Sequence, residues 1–229
     1  MKHSRFRWIK TGILAVTGAA SAFLSAPAAT ALEKAAPTAA TSETATDATD
    51  ANPALGPAIG DPAPHSLEAL ASNGARVSLS SITGARGVAL FFVRSVDWCP
   101  YCKAQALDVN KRLDDFIEMG LNVAFVSYDS TEKQAAFAGE NDFKPTLISD
   151  PDIDIINAFG LRNEKYAEGS RFYGIPHPAV FIINPEAEIV AKLYEADYLS
   201  NDKSYRNRPA VDVILERADL ALADKTAAH

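Results

Sequence analysis

The chain has 229 residues, of which 48% are apolar and 22% charged, with a formal net charge of −7. That composition belongs to one ordinary globular domain with extensions, not to a fibrous or wholly disordered chain. An acidic balance of this size argues against phosphate backbones and anionic membranes as partners, so nucleic-acid binding is disfavoured.

The first 31 residues differ from the rest. Lys2, Arg5, Arg7 and Lys10 make a basic start, "TGILAVTGAASAFL" is an apolar run, and "APAATA" supplies small residues with Ala29 and Ala31 in an A-x-A arrangement. This is the pattern of a secretory signal peptide cleaved after Ala31, and it predicts a periplasmic protein, membrane-anchored if the signal stays uncleaved. The apolar run is shorter than the roughly 18 residues a membrane span needs. Residues 1–31 hold four of the 22 basic side chains and none of the 29 acidic ones, so cleavage takes the net charge from −7 to −11. Residues 32–57 are rich in Ala, Thr and Pro, lack aromatic residues, and are expected to form a disordered linker.

Folded texture is expected over 58–225. Asn73-Gly74 between two short runs predicts a hairpin. "GVALFFVRS" (87–95) and "LNVAFVSYD" (121–129) have the continuous apolar character of strands buried on both faces. Helices are expected over Pro100 to Gly120 and Thr131 to Glu140, and a short strand over 145–150. Another helix is expected in "PDIDIINAFG", with Pro151 in its first turn. Two strands then flank a turn at Pro185 to Ala187, before a last helix from Pro209 to Ala223. Strands alternating with helices predict an α/β fold, a central sheet flanked by helices.

The chemistry centres on "RSVDWCPYCKAQ", which carries both cysteines of the chain, Cys99 and Cys102. Three readings compete: a structural bridge, a metal clip and a reactive dithiol. A bridge across C-x-x-C closes too short a loop to remove much unfolded-state entropy. The strand before the pair and the helix after it place Cys99 at a helix N-terminus, where free N–H groups and the helix dipole favour a thiolate. Cys99 is then the exposed nucleophile and Cys102, more enclosed, the thiol that resolves a mixed disulfide.

"WCPYC" and "HPAVFII" resemble the two active-site segments of the thioredoxin superfamily. With "IGDPAP", "VSLSSITGARGVALFFVRS", "NVAFVSYDS", "LISDPD" and "FGL", the span of about 59–223 is similar to its peroxiredoxin-like (AhpC/TSA, or redoxin) branch. The resemblance implies a thioredoxin fold, with a central mixed sheet flanked by helices and a peroxiredoxin-like N-terminal hairpin. It implies a cis-proline facing the dithiol, at Pro178 or else Pro176, and no dissociable cofactor. Peroxidases of this superfamily carry P-x-x-x-T-x-x-C, with an Arg near the cis-proline. Here Phe92 and Val96 stand at the Pro and Thr positions, and Pro178 where the Arg is expected. The buried acid that thioredoxin places six residues before its first cysteine is Val93 here, leaving Asp97 or water to manage the proton of Cys102.

Trp98, Tyr101, His177 and Pro178 are the candidate substrate-contacting residues. The function expected is exchange with protein disulfides through Cys99 and Cys102, with a redox partner protein supplying or taking electrons. The alternatives are a thiol peroxidase using Cys99, and a copper carrier using both cysteines and His177. Asp97 and Lys103 are expected as solvated groups, His65 at the domain edge, and "SYRNRP" (204–209) as a solvated segment leading into the last helix.

Overall fold

The computed structural model describes residues 55–198, 200–201 and 203–227. The expected signal peptide and most of the expected linker lie outside the described residues. In chain order the elements are β1 (Ala69–Ala71), β2 (Arg76–Val77), α1 (Leu79–Ile82), β3 (Gly87–Phe92), α2 (Pro100–Lys111), α3 (Leu113–Glu118) and β4 (Leu121–Ser127). There follow α4 (Thr131–Asn141), β5 (Thr146–Ser149), α5 (Asp154–Ala158), β6 (Ala179–Ile183), β7 (Ile189–Leu193), a 3-10 turn (Ser204–Arg206) and α6 (Val211–Ala227).

The strands form one mixed sheet in the order β2-β1-β5-β4-β3-β6-β7. The central pairs β3/β4 and β4/β5 are parallel, while β6 and β7 add antiparallel on one side. The β1/β2 hairpin, turning through Gly74, adds antiparallel on the other. β3 explains why its sequence is continuously apolar. Ala89 and Phe91 enter one core layer, Val88, Leu90 and Phe92 the other, and all five are at most 1% exposed. On the first face Phe91 stacks on Phe125 at 4.5 Å between ring centroids; on the second Phe92 meets Phe159 at 4.7 Å.

Three boundaries differ from expectation. The segment expected as one helix from Pro100 to Gly120 breaks at Arg112, which bonds Asp115 and Asp212, and the new direction turns Phe116 in against Phe91. α5 starts at Asp154, after Pro151, because the buried Asp150 carboxylate accepts the N–H groups of Ile155 and Ile156 at 3.2 and 2.9 Å. Among the described residues packing begins at Leu55, inside the stretch expected as linker. Leu55 is 2% exposed, and the Lys192 Nζ donates to the Leu55 and Pro57 carbonyls at 3.1 and 2.9 Å. A lone leucine in an Ala/Thr/Pro context carries no periodic signal, so only the fold exposes this contact. No helix among the described residues is long and apolar enough to cross a membrane.

Candidate active site

The strand-to-helix junction after β3 forms as expected, and Cys99 is the N-cap of α2. Its backbone is extended, Pro100 begins the helix, and its Sγ accepts the N–H of Cys102 at 3.3 Å. The two cysteines are joined in a disulfide with Cα atoms 5.3 Å apart. Cys99 was expected to be exposed; it is 1% exposed and Cys102 0%. Both belong to the core layer under α2, with Trp98 packed against it, so the two sulfur-bearing side chains face inward although Pro100 and Tyr101 at the helix start are exposed.

The loop holding the dithiol is tied down by Asp129, just beyond β4. Its carboxylate accepts from Ser95 Oγ at 2.8 Å, the Val96 N–H at 2.7 Å and Ser127 Oγ at 2.8 Å. Ser95 Oγ in turn accepts the N–H groups of Asp97 and Trp98. Burial pushes the Asp129 carboxyl above its ordinary range, against the pull of those hydrogen bonds. Sequence reading missed Asp129, because "VSYDS" has no local feature that separates a loop anchor from a turn residue. Asp97 pairs with Lys133 at 2.8 Å and its carbonyl accepts from Lys103 Nζ, at the solvated surface as expected. It therefore faces away from the role of proton acceptor for Cys102.

Aromatic rings and guanidinium groups cluster around the segment that carries the dithiol. Arg94 is 5% exposed, with its guanidinium carbon 4.0 Å from the Tyr205 ring centroid and 5.4 Å from that of Trp98. Trp98 packs on Phe172 and donates from Nε1 to Tyr128 Oη at 2.9 Å. Tyr101 is 38% exposed, and its ring lies edge-on to Tyr205. The segment 204–209 was expected to be solvated, and only half of it is. Arg206 lies at the surface beside Tyr101, whereas Arg208 turns inward and its Nη2 reaches Cys102 Sγ at 3.5 Å. The Nε atoms of both Arg94 and Arg208 are enclosed without a hydrogen-bond partner. Burial, reinforced by the charge of Arg94, holds Arg208 below its ordinary value.

Beside this cluster lies a polar cavity of about 470 Å³, walled by Arg94, Arg162, Pro176, His177, Pro178 and Tyr198 among others. Pro178 directly precedes β6, where Ala179 pairs with Phe92 at the dithiol end of β3. His177 is buried, with its backbone N–H donating to the Leu161 carbonyl at 2.7 Å and its ring stacked on Tyr198. Burial first, then the charge of Arg94, lowers its pKa and keeps the imidazole neutral. Of the residues singled out from sequence, His177 and Pro178 line this cavity, while Trp98 and Tyr101 flank the dithiol. His177 does not join Cys99 and Cys102 as a ligand set; among the described residues no three His, Cys, Asp or Glu side chains converge as a metal site.

Comparison with known proteins agrees with this fold. A model of the AhpC/TSA family matches residues 59–192. Peroxiredoxin Bcp of Escherichia coli K12 is 30% identical over 117 residues, covering 51% of this chain and 73% of that protein. Peroxiredoxin Q of Xanthomonas campestris superposes with a TM-score of 0.51 at 26% identity, over 69% of this chain and 89% of that one. Peroxidoxin BcpB of Mycobacterium tuberculosis shares the fold, with a TM-score of 0.55 at 23% identity, over 75% of this chain and 97% of that one. The architecture is thus thioredoxin-like, a mixed sheet flanked by helices with the hairpin on its edge.

Proposed function

The chain belongs to the AhpC/TSA family, and from its site we propose that it is a thiol peroxidase, with Cys99 as the peroxide-reactive cysteine and Cys102 as its resolving partner. One observation carries this reading: the dithiol is enclosed, 1% and 0% exposed, at a helix N-terminus with the Arg208 guanidinium at Cys102 Sγ. Attack on a protein disulfide requires a second protein's sulfur to line up with Cys99, and Cys99 is only 1% exposed. A peroxide needs space for two oxygen atoms only. Likeness to peroxiredoxins supports the same choice over the disulfide exchange expected from the motif alone.

The residues at the usual Pro and Thr positions, Phe92 and Val96, are engaged elsewhere. The Phe92 ring lies in the opposite core layer, against Phe159 and Phe181, and the Val96 N–H is engaged by Asp129. The missing cation is supplied from elsewhere, by Arg94. In the first step the Cys99 thiolate attacks one peroxide oxygen and the O–O bond breaks. The departing alkoxide takes a proton to become an alcohol or water, and Cys99 becomes a sulfenic acid. Cys102 sulfur then displaces that oxygen as water, forming the disulfide seen here. An external thiol reductant restores the dithiol.

Stopped-flow mixing of the reduced protein with hydrogen peroxide, followed through Trp98 fluorescence, tests this. A rate orders of magnitude above that of a free thiol is expected, lost in Cys99→Ser; a rate equal to a free thiol's overturns the reading. Trapping of abundant protein mixed disulfides by Cys102→Ser would return the assignment to disulfide exchange. We also place the enzyme outside the cytoplasm, on the basic, apolar and small-residue pattern of residues 1–31. N-terminal sequencing of protein from the periplasmic fraction should begin at Leu32; full-length protein in the cytosol would contradict this.

A further inference from the structure

Cys102 is wholly buried, and burial in apolar surroundings makes a thiol harder to ionise. The position where thioredoxin keeps a buried acid is Val93, an apolar member of the same core layer. Asp97 is paired with Lys133, and Asp129 is committed to Ser95, Val96 and Ser127. Yet the closure step requires Cys102 to act as a nucleophile.

The side chain that reaches it comes from the far end of the chain. Arg208 Nη2 lies 3.5 Å from Cys102 Sγ, within hydrogen-bond range of sulfur. The guanidinium is oriented by its own loop, with Nη1 donating to the carbonyls of Tyr205 and Asn207. Its Nε is enclosed without a partner. The groups facing Arg208 are Arg94, of like charge, and Tyr198 and Glu195, whose influence favours the cation. Tyr198 itself is pushed up to about 12 by burial, so it stays a neutral hydroxyl at physiological pH. The cation is thus placed where an anionic sulfur gives it a counter-charge.

We propose that Arg208 is a catalytic residue that activates the resolving cysteine, holding Cys102 as a thiolate by charge and hydrogen bonding in place of a buried carboxylate base. This rests on the dithiol mechanism above and assigns its second step. The Cys102 thiolate attacks the sulfur of Cys99 sulfenic acid, the S–S bond forms as the S–O bond breaks, and the hydroxide takes a proton from solvent to leave as water. When the disulfide has formed, the sulfur is neutral and Arg208 loses its counter-charge. The arrangement therefore favours the reduced, thiolate state of Cys102.

Thiolate absorbance of the Cys99→Ser protein, titrated against pH, reports Cys102 directly and needs no peroxide. It stands whether or not the protein proves to be a peroxidase. Arg208→Met in that background should raise the Cys102 pKa by about one unit or more. With both cysteines present it should slow disulfide closure at neutral pH about tenfold, while sulfenic acid formation on Cys99 continues. Arg208→Lys should restore most of both effects. An unchanged Cys102 titration in both Arg208→Met and Arg208→Gln overturns the proposal. If those variants fail to fold, the wild-type closure rate decides. Its pH midpoint should fall below the ordinary thiol value of about 8.5, and a midpoint at or above that value overturns the proposal.

Discussion

Asp129, just beyond β4, accepts the backbone N–H of Val96 at 2.7 Å and so ties the dithiol loop to the sheet. Asp129 is 3% exposed, and its carboxylate also receives the hydroxyls of Ser95 and Ser127. Asp129→Ala would leave three buried donors without an acceptor. The expected loss is about 2–4 kcal/mol, read from the denaturant midpoint, together with a slower reaction of Cys99. Asp129→Asn, which keeps one acceptor oxygen, should fall between the two.

The same carboxyl sets a pH dependence, together with Asp150. Burial is the leading cause at both, and it raises both above their ordinary value of 3.8 in the folded state. The folded protein therefore binds more protons than the unfolded chain between the two values. Stability contributed by these groups is present at low pH and is lost as pH rises through that window. Denaturant titrations from pH 3 upward should show a shallower fall in Asp129→Asn than in wild type. Identical profiles would remove Asp129 as a source.

Arg94 is the cation assigned to the peroxide step, its guanidinium 4.0 Å from the Tyr205 ring centroid and 5.4 Å from that of Trp98. Arg94→Met should slow oxidation of Cys99 by roughly a hundredfold. Arg94→Lys should recover only part of the rate, since an ammonium cannot stack as a planar guanidinium does. Stopped-flow rates with hydrogen peroxide measure both. A Met variant at wild-type rate would assign the activation to the helix N-terminus alone.

Gly87 begins β3 at φ +132°, and a Cβ there would lie 2.2 Å from the Ile183 carbonyl oxygen across the β3/β6 pairing. Gly87→Ala should cost more than about 3 kcal/mol, because the clash is with backbone and the sheet must part to relieve it. Gly74, in the hairpin turn at φ +79° with open space around it, should tolerate Ala for about 1–2 kcal/mol. Thermal unfolding of the two variants separates steric from conformational loss.

Much of this protein was legible from local pattern, because short-range physics writes itself into adjacent residues. The apolar run of β3, the Asn73-Gly74 turn and the Pro100 start of α2 each depend on a few neighbours, and all stand in the structure. The dithiol at a helix N-terminus is equally local, since Cys99 caps the helix that Cys102 belongs to. The resemblance named the family branch for the same reason.

What required the tertiary structure is everything that crosses the sheet or joins distant segments. The cluster beside the dithiol segment joins Arg94 to Tyr205, and the partner of Cys102 is Arg208, 106 positions away in sequence. Nothing in "SYRNRP" distinguishes an arginine facing water from one facing sulfur, because that depends on where the loop before α6 folds back. The sequence determined by itself where the C-x-x-C pair stands and where its helix begins. Only packing decided that it is enclosed and that Arg208 reaches Cys102, because burial and charge at a site are properties of the neighbours that folding brings together.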